Sequence, residues 1–157
     1  MRITLWIVLT FFLQSLCSGL LPDRIPPPDL VFLGALALAA VLPPAWGLLA
    51  GFLLGLGQDL LSAGIPGFHA AALLLAVWAF YGLTRWVQWN ETLGRFLTLL
   101  GAFVAKWLGY LLLADWRHSL VVTGGLGSVF LGELLLTLIL AWPFFWLARI
   151  VLGDRRE

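Results

Sequence analysis

Residues 43–69 read PPAWGLLAGFLLGLGQDLLSAGIPGFH, and the fold turns on this stretch. Its apolar run is a helix candidate with a stripe built in. Gly47, Gly51, Gly55 and Asp59 recur every four residues, so they fall near one face of an α-helix. Three glycines on one face let a second helix approach closely, which is how helices associate in lipid. The stripe is therefore expected to serve helix packing or the binding of a partner. It ends in a carboxylate, and a charged Asp at mid-depth in hydrocarbon costs about 2.5–3.5 kcal/mol. Asp59 thus either has a specific role or sits at the membrane surface. Residues 62–67 then supply a tight turn, in which Pro66 and Gly67 bar continuation of the helix.

The whole chain shares the character of this stretch. Its 157 residues are 62% hydrophobic and 11% charged, with mean hydropathy +1.01. A water-soluble domain of this size needs far more polar surface. The chain reads as an integral membrane protein forming a single polytopic domain, residues 1–157. A net charge of +1 gives no electrostatic case for nucleic acid or an acidic partner. The lone Cys17 excludes an intramolecular disulfide and a multi-cysteine metal site. Nine tryptophans suit the membrane–water interface, where one ring edge is wet and the rest is not.

Working outward, residues 3–21 form a first apolar run behind Arg2. It has the layout of a secretory signal, yet it is long enough to span, and a retained helix is expected. The PDRIPPPD segment, 22–29, is a non-helical polar connection. Residues 30–42 are short for a bilayer core that takes about 20 helical residues; they are expected to borrow Asp29 at one end and Pro43-Pro44 at the other. Residues 45–61 are the third run. Residues 68–84 are the fourth, with Ala70, Ala71, Ala72 and Ala76 as a second small-residue surface. The polar RWVQWNETLGR, 85–95, reads as interfacial. Residues 96–114 are the fifth run, interrupted by Lys106. A sixth begins between 120 and 129, holds Glu133, and continues to 152 with Pro143 expected to kink it. The expected fold is an all-α bundle of six transmembrane helices, or five if the first is removed.

Six spans place Arg2, Arg85, Arg95, Arg149, Arg155 and Arg156 on one side and Arg24 and Arg117 on the other. The excess of cations puts both termini in the cytoplasm. All loops are short, so function lies largely in the plane of the membrane.

Lys106 and Glu133 are the ionisable groups clearly inside spans. If the sixth helix starts near Leu126, both sit about 10–12 Å below the outer surface at 1.5 Å per residue. A salt bridge is expected, the alternative being a snorkelling Lys106 and an unpaired Glu133. His69 and His118 stand alone at helix ends, without the spacing of a metal site. Ser62, Ser119 and Ser128 have no base at a motif distance, and no glycine loop is placed to cradle phosphate. No enzyme activity and no cofactor are expected.

Three segments together resemble the rod shape-determining protein MreD family. They are Pro28-Asp29-Leu30 opening a short helix, Gly51-Phe-Leu-Leu-Gly55-Leu-Gly-Gln-Asp59-Leu-Leu-Ser62, and Gly64-Ile-Pro-Gly67-Phe-His69. The likeness covers about residues 28–76. Gln58 stands where the family more often has an aliphatic residue, a departure of little weight. Lys106 and Glu133 match no family motif. The resemblance implies a non-catalytic component of the bacterial inner membrane, in the cell-elongation machinery. It implies the single-span protein MreC as partner, working with RodA, its penicillin-binding partner and MreB. It also implies a fold related to the six-helix substrate-binding subunits of energy-coupling-factor vitamin transporters, and so an alternative as a small-molecule-binding subunit. A vitamin site needs a cavity with several convergent polar groups, and few are expected here beyond Asp59, Lys106 and Glu133.

Overall fold

The structure, a computed structural model, describes residues 1–22, 25–62, 66–87, 91–116 and 126–153. Among them are six helices: α1 (Arg2–Leu20), α2 (Leu30–Val41), α3 (Pro44–Leu61), α4 (Phe68–Leu83), α5 (Thr92–Trp116) and α6 (Leu126–Leu152). Pro44 opens α3 at a position where its missing N–H costs nothing. α5 starts earlier than the hydropathy suggests, so the end of the polar 85–95 segment joins its first turn. α6 is continuous through Pro143, whose ring lies on the exposed side.

Four helices, α1, α3, α5 and α6, are long and apolar enough to cross a membrane. The six expected helices are present, and two of them are shorter than a span. α2 has 12 residues and α4 has 16, about 18 and 24 Å of helix against a hydrocarbon core of about 30 Å. α2 does not lengthen by borrowing its neighbours. Asp29 is its N-cap, with Oδ1 accepting from Phe32 N at 2.8 Å, and Leu42 leaves it in an extended conformation. Pro26, Pro27 and Pro28 hold the preceding backbone out of the helical region up to that cap.

The short α2 is the centre of the bundle. Every residue from Leu30 to Ala39 is buried, and α1, α3, α4 and α6 pack around it. α4 lies between α3 and α5, and α6 returns against α1. Among the described residues α5 and α6 have little close backbone packing and meet through side chains instead, such as Phe103 and Trp107 on Phe130. The outside is apolar: Leu131, Leu135, Ile139, Trp142, Trp146 and Ile150 form an exposed row along α6. An apolar surface this continuous suits lipid rather than water.

Arg2 Nη1 lies 3.0 Å from where a Cβ on Gly153 would stand, which puts the start of α1 and the end of α6 at one end of the bundle. Toward this terminal end lie the exposed Trp46 in the first turn of α3, Trp78 in the second half of α4, Trp86 just beyond it, and Trp142 and Trp146 in the second half of α6. Trp6 departs from the interfacial expectation. It is fully buried, packs edge-on against Phe144 at 5.0 Å, and donates from Nε1 to Gly34 O at 3.2 Å.

The glycine stripe faces α4. A Cβ on Gly47 would run into the Tyr81 hydroxyl, one on Gly51 would stand 2.8 Å from Val77 Cγ2, and one on Gly55 would stand 2.5 Å from Ala70 Cα. Ala70, Ala72 and Ala76 of α4 are buried in turn. The two small-residue surfaces therefore serve packing inside this chain, and the stripe is not free to receive another protein's helix. Tyr81 closes the other end of the same joint, donating from its hydroxyl to Ala39 O at 2.9 Å.

Candidate functional site

The end opposite the termini carries two polar clusters, built by different pieces of the stripe and of the α1–α2 connection. The first is the α3–α4 joint. Gly67 is the N-cap of α4 in the left-handed region, φ 97°, which a residue with a Cβ adopts only at a cost. It has no side chain to satisfy the amides of the first turn, and Asp59 does so from the end of α3. Oδ2 accepts from Gly67 N at 2.8 Å and Ala70 N at 3.1 Å; Oδ1 accepts from His69 N at 2.9 Å. His69 Nδ1 lies 2.9 Å from Oδ1 as well. A carboxylate at a helix N-terminus is favoured both by these bonds and by the helix dipole. Asp59 is buried, so it is no surface acid, and its role is the remote cap of α4.

The second cluster is built on the prolines. The extended chain before α2 enters the bundle rather than lying on it. Asp29 meets Lys106, ten residues before Trp116, and Thr137, eleven residues after Leu126. At 1.5 Å per residue it therefore lies about 15–16 Å in from that end of α5 and α6. Non-helical backbone at such depth is tolerated only where protein satisfies its polar groups. Asp29 N donates to Thr137 Oγ1 at 2.9 Å and Leu30 N to Gln14 Oε1 at 2.7 Å.

Lys106 completes the cluster. Its Nζ donates to Asp29 Oδ2 at 2.6 Å and to Glu133 Oε1, and stands 4.7 Å from the centre of the Phe103 ring. The structure thus brings Lys106 and Glu133 together, and adds Asp29, which the sequence places at the start of the second helix without a partner. The pair is a triad spanning α2, α5 and α6, with two carboxylates around one ammonium. Three nearly buried charges are supportable because each has a partner.

The triad forms one wall of a cavity of about 380 Å³. Gln14, Gln58, His69, Trp107 and Tyr110 share the lining with Pro26, Pro27, Pro28, Ala72 and Leu73. Here the sequence expectation of few convergent polar groups fails. Side chains from α1, α3, α4, α5 and α6 converge, whereas Asp59 does not line the cavity. Gln58 Oε1 is buried with no hydrogen-bond partner among the described residues. Its spacing to the other polar residues carries no pattern, so only the fold shows that it lines the same cavity as Lys106. Among the described residues no group of three His, Cys, Asp or Glu side chains could hold a metal ion. Arg24, Arg117, His118, Ser119, Arg155 and Arg156 lie outside the described residues.

Comparisons of the chain with protein-family models, with curated proteins and with solved structures give no match.

Proposed function

We propose that this chain is a non-catalytic scaffold of the bacterial inner (cytoplasmic) membrane, of the MreD type. It acts in cell elongation and peptidoglycan synthesis, and its main ligand is the transmembrane helix of MreC. RodA, its penicillin-binding partner and MreB are reached through that complex. One observation supports this reading above the rest. The residues that carry the resemblance are spent on joining helices. Asp29 caps α2 and ties it to α5; Gly51 and Gly55 seat α4 on α3; Asp59 caps α4 through Gly67 and His69. The bundle offers apolar faces and, among the described residues, no nucleophile–base pair. The terminal end, with Arg2, Arg85, Arg95 and Arg149, faces the cytoplasm on this reading.

Since α4 fills the glycine stripe, MreC docks on an outward face. Co-expression with MreC should give a complex that survives mild detergent. Substitution of the exposed Leu131 or Leu135 on α6, or Phe12 or Leu16 on α1, should identify the face by dissociating the complex from a folded protein. Loss of rod shape should accompany dissociation. Failure of MreC to copurify would end this reading.

A second reading is favoured by the cavity: a small-molecule-binding subunit of an energy-coupling-factor type transporter. Its volume and its convergent Gln14, Gln58, His69, Lys106 and Tyr110 suit a small polar ligand. Copurification of an ATPase pair and a tightly held vitamin would decide for it.

A further inference from the structure

The gap between α5 and α6 continues past the triad to the terminal end. There it becomes a groove of about 210 Å³. Its floor is the buried Leu99 and Ala141, and its walls include Phe96, Trp142 and Trp146. At its mouth are Arg95, in the first turn of α5, and Arg149, in the last turn of α6. Two guanidinium groups thus face one groove, and among its lining residues there is no carboxylate.

We propose that this groove binds an anionic phospholipid, with the headgroup phosphate between Arg95 and Arg149 and an acyl chain against Leu99, Leu138 and Ala141. Three features converge on that occupant. The two guanidinium groups that line the mouth are complementary to a phosphodiester, which guanidinium recognises by paired hydrogen bonds. The interior is apolar and lies directly below, as an acyl chain lies below its phosphate. The flanking Trp146 is exposed one turn from Arg149, where indole rings sit at headgroup depth. Basic pockets between helices at the cytoplasmic face are the recurring form of such sites. The inference rests on the bilayer setting alone and stands whichever proposed function holds.

The test uses the full chain purified in mild detergent. Thermal unfolding is followed after addition of phosphatidylglycerol, phosphatidylcholine or inorganic phosphate, and bound lipid is counted by native mass spectrometry. Phosphatidylglycerol should raise the Tm and be retained. Phosphatidylcholine and inorganic phosphate should do neither. Each arginine near a headgroup is worth about fivefold in affinity. Arg95→Ala with Arg149→Ala should therefore weaken phosphatidylglycerol binding about thirtyfold while leaving the Tm in detergent alone unchanged. Should that double variant unfold, Arg149→Ala alone, at an exposed site, should still give about a fivefold loss. Equal stabilisation by phosphatidylcholine would overturn the proposal, as would stabilisation by inorganic phosphate or unaltered retention in both variants. So would finding a second copy of the chain or a partner's helix in the groove.

Discussion

Lys106 Nζ lies 2.6 Å from Asp29 Oδ2, across 77 residues of sequence and between two helices that otherwise meet through rings, Phe32 on Phe103. The contact converts an expected two-helix ion pair into a three-element hub, and it changes what each substitution leaves behind. Glu133→Gln leaves Asp29 and Lys106 as a neutral pair, so its cost should be small, about 1 kcal/mol. Lys106→Met leaves two carboxylates facing each other in a low-dielectric site. Breaking a buried pair from that side costs about 3–5 kcal/mol, the larger end of which is expected here. Thermal unfolding in one detergent should rank wild type, Glu133→Gln and Lys106→Met in that order. Equal losses in the two variants would show that Asp29 does not share the ammonium.

The double variant Lys106→Met with Glu133→Gln should not recover the wild-type stability. A simple pair would be largely relieved by removing both members; the triad leaves Asp29 buried without a cation. Asp29→Asn added to those two changes should restore part of the loss, because an amide still accepts from Phe32 N as the cap of α2. A triple-mutant series of Tm values measures this directly.

Gly55 is the stripe glycine whose space is filled by the backbone of α4. An added Cβ would stand 2.5 Å from both Ala70 Cα and His69 O, and backbone cannot step aside as a side-chain tip does. Gly55→Ala should cost about 1–3 kcal/mol or more, the range of overpacking. Gly82 is also helical but has nothing within 4 Å of the same position. Gly82→Ala should be neutral or stabilising by up to about 1 kcal/mol. The contrast, read as Tm, separates a packing role for the stripe from a general intolerance of side chains.

Asp59→Ala removes the acceptor of three main-chain amides at the start of α4. Loss of an N-cap alone costs about 0.5–2 kcal/mol, and the amides left buried push the cost to the upper end. Asp59→Asn, which keeps one oxygen, should fall between. Hydrogen exchange should show the first turn of α4 opening in Asp59→Ala while the centre of α4, around Ala76, stays protected.

Much of this architecture was legible in advance for a physical reason. Helix ends follow from residues that cannot continue a helix or that begin one well, such as Pro43, Pro44, Pro66 and Gly67, and these act locally. The four-residue spacing of the stripe fixes a face, and α4 is the next element able to fill it. The hub was only half legible. Lys106 and Glu133 stand out as charges in apolar runs, but Asp29 sits in a stretch with Asp23 and Arg24, where a charge needs no partner. Its depth depends on three prolines carrying the chain into the bundle, a long-range outcome with no periodicity to read. The shortness of α2 points the same way: 12 residues suffice because the extended segment covers part of the distance.

Gln58 is the residue on which the two functional readings separate. Its Oε1 is buried without a partner among the described residues, beside the 380 Å³ cavity. A buried carbonyl left unpaired costs about 1–3 kcal/mol. If the protein is a scaffold whose cavity carries no ligand, Gln58→Leu removes that cost, and the substitution also restores the aliphatic character that the MreD resemblance leads one to expect. The Tm should then rise and MreC should copurify as before. A ligand held in the cavity would bond to this oxygen, and the same change would then lower the Tm of protein purified with its ligand and lose the bound molecule from its mass spectrum. We expect the first outcome, because Asp29, Lys106 and Glu133 in the same lining already engage one another and Lys106 has both its carboxylate partners within the chain.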